Sequence, residues 1–168
     1  MSLSAMLEDF KNYRETRRNL LEKLDRPDSN RDPLAEFSEK LAETILKAKR
    51  AGRREQKGFD LEGPSGEKIE VKYVAQVTNK DGTINWKNWH TVKFNEYRDK
   101  YALVVFLDLL PRHMFVFSKH KVGDLCQALG KKHPQQDTTL QFTKTNYHTI
   151  VENQEKFKNL GVVVFPLI

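Results

Sequence analysis

Residues 58–77 read GFDLEGPSGEKIEVKYVAQV, two segments carrying β-branched and aromatic residues on either side of a Gly-Pro-Ser-Gly turn. That pattern predicts a β-hairpin. Positions 60 and 70 are equally spaced about residue 65, so Asp60 and Glu70 are expected side by side on facing strands. Alternate side chains of a strand share one face. Lys72 therefore joins Glu70 on one surface, about 6.5 Å along, while Ile69, Val71 and Tyr73 anchor the strand in a core from the other. Gln76, farther along the Glu70 face, could meet a phosphate or a water, or only solvent.

Working outward, residues 33–51 predict a helix with Asp32 as N-cap and Pro33 at its first position, presenting Leu34, Phe37, Leu41, Ile45 and Ala48 on one side and ending at Gly52. The segment before it, RPDSNRDP at 26–33, reads as a connector. Residues 3–24 carry Leu3, Met6, Leu7, Phe10, Tyr13, Leu20, Leu21 and Leu24 at spacings of three and four, the mark of an amphipathic helix. On the other side of the hairpin, Asp81-Gly82 signals a second tight turn within 78–88, and 94–100 reads as a short helix. The nearly continuous apolar run YALVVFLDL at 101–109 reads as a strand buried on both faces. Pro111 is expected to mark the turn out of it, and His113 to Ser118 its antiparallel neighbour. A helix at 122–129, a strand at 138–143, a helix at 147–160 and a terminal strand at 162–167 complete the pattern. The fold class expected is α/β, a central mixed sheet flanked by helices. Two units are expected, an N-terminal amphipathic helix over 1–26 and the main domain over 27–168.

With 168 residues, 38% hydrophobic, and ten Phe, five Tyr and two Trp, the chain can build a substantial core. No apolar run approaches the roughly 18 residues of a membrane span, and the N-terminus mixes charge with apolar residues, so a cytoplasmic location is expected. The single cysteine, Cys126 in DLCQAL, reads as a small buried hydrophobe. Twenty-nine Lys and Arg against 23 Asp and Glu give a net charge of +6, which favours polyanionic partners. Six cations cluster within 47–57, at Lys47, Lys49, Arg50, Arg53, Arg54 and Lys57. They form a candidate phosphate-contacting patch, against the plainer reading of a solvated helix end.

Two carboxylates and a lysine on one face form a chemical arrangement. Paired carboxylates suit a hard divalent cation such as Mg²⁺, which keeps waters and takes phosphate oxygens as further ligands. A neighbouring ammonium can orient or help deprotonate water and offset charge building on phosphorus oxygens. Asp60, nine intervening residues and Glu70-Val71-Lys72 resemble the PD-(D/E)xK nuclease signature, with Phe59 in place of the motif's proline. The resemblance implies a restriction-endonuclease-like fold, with an acidic helix before the hairpin and a helix and further strands after it. It also implies a Mg²⁺ cofactor, for which Mn²⁺ can substitute, held by Asp60, Glu70 and the backbone carbonyl of Val71. Lys72 would then act on the water and a helical glutamate through a second water. Glu39 borders the apolar face of its helix and is the choice for that glutamate, with Glu43 as the runner-up, whereas Glu36 and Glu43 are expected to turn further toward solvent.

The function this resemblance implies is a metal-dependent endonuclease cutting double-stranded DNA, of the type II restriction class, acting as a homodimer. A structure-specific nuclease such as a junction resolvase would use identical chemistry, and a DNA-binding module of the same fold would lack cleavage. The five histidines show no metal-ligand spacing, so zinc is not expected. Trp86, Lys87 and Trp89 in NWKNWH are candidates to stack on or wedge between bases, or the tryptophans cover a sheet edge. The N-terminal helix is the candidate dimerisation element.

Overall fold

A computed structural model of the chain describes residues 2–52, 58–86, 90–130 and 138–168. The architecture is mixed α/β with a mixed central sheet, built on the predicted hairpin. Strands β2 (Leu61–Glu62) and β3 (Lys68–Thr78) pair antiparallel with Leu61 opposite Ile69, a register centred on residue 65 as expected. β1 (Lys49–Arg50) extends the sheet at one edge. On the other side β3 runs parallel to β6 (Lys100–Leu107), which pairs antiparallel with β7 (Leu110–Ser118), and β7 pairs antiparallel with β9 (Val162–Pro166). β4 (Ile84–Asn85) folds back on the end of β3 through a turn where Gly82 takes a positive φ of 81°, a conformation glycine adopts without steric cost. Strands β5 (His90–Lys93) and β8 (Thr139–Phe142) form a separate two-stranded ribbon.

The alternation of β3, β6 and β7 sorts the core into two layers. Ile69, Val71, Ala102, Val104, Phe106, Met114 and Val116 pack with Ala42 of helix α2 (Pro33–Ile45) on one face. Leu103, Val105, Phe115 and Phe117 face the other way, against the ribbon and helices α3 (Val122–Ala128), α4 (Lys144–Glu152) and α5 (Gln154–Asn159). Cys126 lies in this second layer, buried as its apolar setting indicates. Helix α1 (Leu3–Lys23) is capped by Ser2, and its last turn is anchored by Leu21 and Leu24, both buried. Among the described residues no helix is long and apolar enough to cross a membrane.

Four local readings differ from the sequence expectation. Helix α2 starts where predicted, with Asp32 accepting from the Leu34 N–H, but ends at Ile45 instead of continuing to Ala51. Lys47 takes a left-handed φ of 51°, and the chain then extends to pair with β2. Residues 94–100 form no helix; the Asn95 carboxamide accepts from the Tyr97 N–H, and Asp99 exchanges backbone bonds with Lys68 and Lys119. Side-chain capping of this kind competes with a helical turn. The turn out of β6 is Asp108-Leu109, both with positive φ, so Pro111 sits inside β7. The helix expected over 147–160 begins earlier, because Thr143 caps α4, and breaks at Asn153 into α4 and α5.

Candidate active site

The hairpin brings Asp60, Glu70 and Lys72 together at the edge where β2 meets β3. Asp60 directly precedes β2; its N–H donates to the Ile69 carbonyl at 2.9 Å, and its Oδ2 accepts from the Val71 N–H at 2.8 Å. The carboxylate is thereby fixed against the strand that carries its partner. Glu70 is buried while Lys72 is exposed. The Lys72 ammonium contacts Glu70 Oε1 directly and stands 3.9 Å from Asp60 Oδ2. One cation therefore bridges both carboxylates. Burial raises the Asp60 pKa, aided by the neighbouring Glu70 charge and opposed by the Val71 N–H and by Lys72.

The parallel pairing of β3 with β6 adds residues that the sequence reading missed. Tyr101 is the register partner of Glu70, and its phenol lies 2.8 Å from His90 Nε2. Burial and the Glu70 charge raise the tyrosine pKa, while burial and the Lys72 charge hold His90 down to about 4. Arg98 is the third addition. Its Nη2 is 3.5 Å from Glu70 Oε1, its Nε donates to the Gly58 carbonyl at 2.7 Å, and its Nη1 donates to the Lys93 carbonyl at 2.8 Å. One guanidinium thus ties together β3, the entry to the hairpin and the ribbon. No local pattern marks these three residues, since each reaches the site only through pairing between distant segments.

The helical glutamates resolve differently from the expectation. Glu36 is buried, not turned to solvent: it accepts from Ser29 Oγ at 2.6 Å and pairs with Arg26 at 3.3 Å and Arg31 at 3.6 Å. The connector folds back over α2 and covers that side of the helix. Glu43 is half-buried and pairs with Arg26 and Lys40. Glu39 is buried as well, with Arg31 at 2.6 Å and Arg50 at 3.8 Å. Its carboxylate raises the Arg31 pKa, to which the Glu36 and Asp60 charges also contribute. Arg31, absent from the sequence reading, and Arg50 both line a concavity of about 260 Å³ that also includes Arg26 and Glu36.

Of the basic patch, Lys47, Lys49 and Arg50 are exposed, and two of them lie on a strand at the sheet edge, not on a helix end. Arg53, Arg54 and Lys57 fall outside the described residues, as do Lys87 and Trp89. Trp86 is half-buried against Phe142 and Tyr147, with ring centroids at 6.0 and 5.8 Å, and its indole N–H is buried with no hydrogen-bond partner among the described residues. Gln76 is buried, so it is not a plain surface glutamine.

Hard oxygen donors from two carboxylates are a fitting set for Mg²⁺, which needs few protein ligands. Among the described residues no group of three or more His, Cys, Asp and Glu side chains is disposed to hold a metal ion, so the Val71 carbonyl, water and phosphate oxygens would have to complete such a shell. No family model matches the chain, and no curated protein matches it.

Proposed function

We propose that the protein is a Mg²⁺-dependent endonuclease that hydrolyses phosphodiester bonds in double-stranded DNA, with a restriction-endonuclease-like fold and a short target site as in type II restriction enzymes. The observation that carries this reading is the Lys72 ammonium lodged between the Asp60 and Glu70 carboxylates at the edge of the central sheet. Asp60, Glu70 and the Val71 carbonyl would hold the divalent ion, with Mn²⁺ able to replace Mg²⁺. The ion supplies Lewis-acid stabilisation of negative charge on phosphate oxygens. Lys72 orients the attacking water and neutralises charge building on the non-bridging oxygens. Arg98 holds Glu70 in place, and the Val71 N–H does the same for Asp60. Arg31 and Arg50, fixed by the buried Glu39 and still exposed, present guanidinium edges suited to phosphate oxygens.

Incubating supercoiled plasmid with the protein in Mg²⁺, Mn²⁺ or Ca²⁺ tests this directly. Cleavage is expected with the first two, and binding without turnover with Ca²⁺, whose looser coordination does not reproduce Mg²⁺ geometry. Asp60→Ala, Glu70→Ala and Lys72→Ala should each abolish cutting while leaving DNA affinity within about tenfold. Intact plasmid together with tight DNA binding would make the protein a non-cutting DNA-binding module. Cleavage confined to branched DNA would move it to the structure-specific nucleases.

A further inference from the structure

Helix α1 carries an apolar stripe that its own chain covers only at one end. Leu21 and Leu24 are buried, whereas Leu3, Met6, Leu7, Phe10 and Tyr13 are 71, 54, 56, 64 and 55% exposed. At 100° per residue all seven fall on one side of the helix. The stripe that docks on the domain therefore continues N-terminally into solvent. It is interrupted at Arg17, whose guanidinium donates to the Ser29 and Arg31 carbonyls at 3.0 and 2.8 Å and so belongs to the chain's own fold. The unpartnered part spans residues 3–14, a helical length that is marginal in water without tertiary support.

We infer that this segment pairs with the same segment of a second copy, in parallel and in register. The spacing places Leu3 and Phe10, and Met6 and Tyr13, at the two seam positions of a heptad pattern. The residues flanking the seam decide the partner and the direction. In a parallel in-register pair, a residue on one flank meets the residue five positions later on the other flank of its mate, which sets Asp9 against Arg14 of the second copy, twice by symmetry. In an antiparallel pair like flanks meet, and Asp9 would face Asp9 or Thr16 of its mate. A lipid surface is disfavoured because the two flanks differ in sign, with Asp9 on one and Lys11, Arg14 and Arg18 on the other, where an anionic membrane selects a basic rim on both. Five large apolar side chains per arm would bury on the order of 1,000 Å² in total, at the lower bound of a specific interface, so a weak dimer that forms at high concentration is expected. Beyond residue 14 the helices must diverge, because Arg17, Leu21 and Leu24 are committed to their own domains.

The inference stands apart from the nuclease reading, and Glu70→Ala should assemble as the wild type does. Light scattering and sedimentation of the full chain at about 100 micromolar should give twice 19.7 kDa. Phe10→Glu should give the single-chain mass with an unchanged circular-dichroism spectrum. Asp9→Arg and Arg14→Asp should each weaken the dimer by about tenfold or more, and the double exchange should restore it. A wild-type monomer at that concentration would overturn the inference, as would flotation of the monomer with anionic vesicles. Single exchanges without effect, or a double exchange that fails to recover, would overturn the parallel arrangement.

Discussion

Removing the Lys72 charge while keeping its stem, as in Lys72→Met, should tighten divalent-ion binding while destroying cleavage. Lys72 Nζ touches Glu70 and lies 3.9 Å from Asp60 Oδ2. Two unit charges at that distance attract by about 4 kcal/mol at an effective dielectric constant of 20 and about 1 kcal/mol in bulk water. The lysine side chain is 46% exposed, so solvent screening places the value toward the low end, roughly 1 to 2 kcal/mol. An incoming cation must displace this interaction. Its loss should therefore raise affinity by about 5- to 30-fold, at about tenfold per 1.4 kcal/mol. Glu70 keeps its contact with Arg98, so the carboxylate remains positioned in the variant. Titration calorimetry with Ca²⁺ at fixed ionic strength reads the affinity, and plasmid cleavage in Mg²⁺ should fall by about 10²-fold or more, the usual consequence of deleting a group that stabilises developing charge. Unchanged or weaker Ca²⁺ binding would refute the idea that the ammonium occupies the place of a metal. Retained cleavage would remove Lys72 from the chemistry.

Glu36→Gln should cost about 3 kcal/mol in urea unfolding, the low end for breaking a buried ion pair, because Arg26 keeps Glu43. Glu39→Gln should cost less, about 1 to 2 kcal/mol, since its partners Arg31 and Arg50 are exposed and can re-solvate; equal losses would contradict this division. His90, held down to about 4, binds a proton more readily unfolded than folded, so its contribution is intact above about 6.5 and is lost as pH falls toward 4. His90→Gln should flatten the decline of unfolding midpoints over that window, and an unaltered pH profile would show that the ring is not held neutral. Replacing Arg31 and Arg50 together with Gln should weaken DNA binding regardless of sequence and reduce the slope of log K against log salt by about 0.9 per lost phosphate contact; an unchanged slope would confine both arginines to holding Glu39.

The hairpin and its register were legible because the turn chemistry of 63–66 and the alternation of 68–77 are local signals that agree. The same holds for the Asp32-Pro33 helix start, the Asp81-Gly82 turn and the buried strand at 101–107. The end of helix α2 and the burial of Glu36 differ from expectation because a distant segment settles each. The chain leaves helix α2 at Ile45 because β2 offers Lys49 and Arg50 a strand partner, and intrinsic helix preference is weaker than such pairing. Glu36 looks like a solvent-facing carboxylate on a helical wheel, since the wheel contains no connector to fold over it.

The candidate site divides along the same line. Asp60, Glu70 and Lys72 lie within one hairpin, so strand periodicity alone places them on a common face. Arg98, Tyr101 and His90 arrive through the parallel β3–β6 pairing and the ribbon, and Arg31 through the connector's return to α2. Parallel partners need a long crossover whose course is not encoded in the two strands themselves. Sequence by itself thus determined the acid-acid-lysine constellation, because its geometry is short-range. Only the tertiary structure decided which cations and hydrogen-bonding groups surround it, because packing of segments far apart in the chain sets those distances.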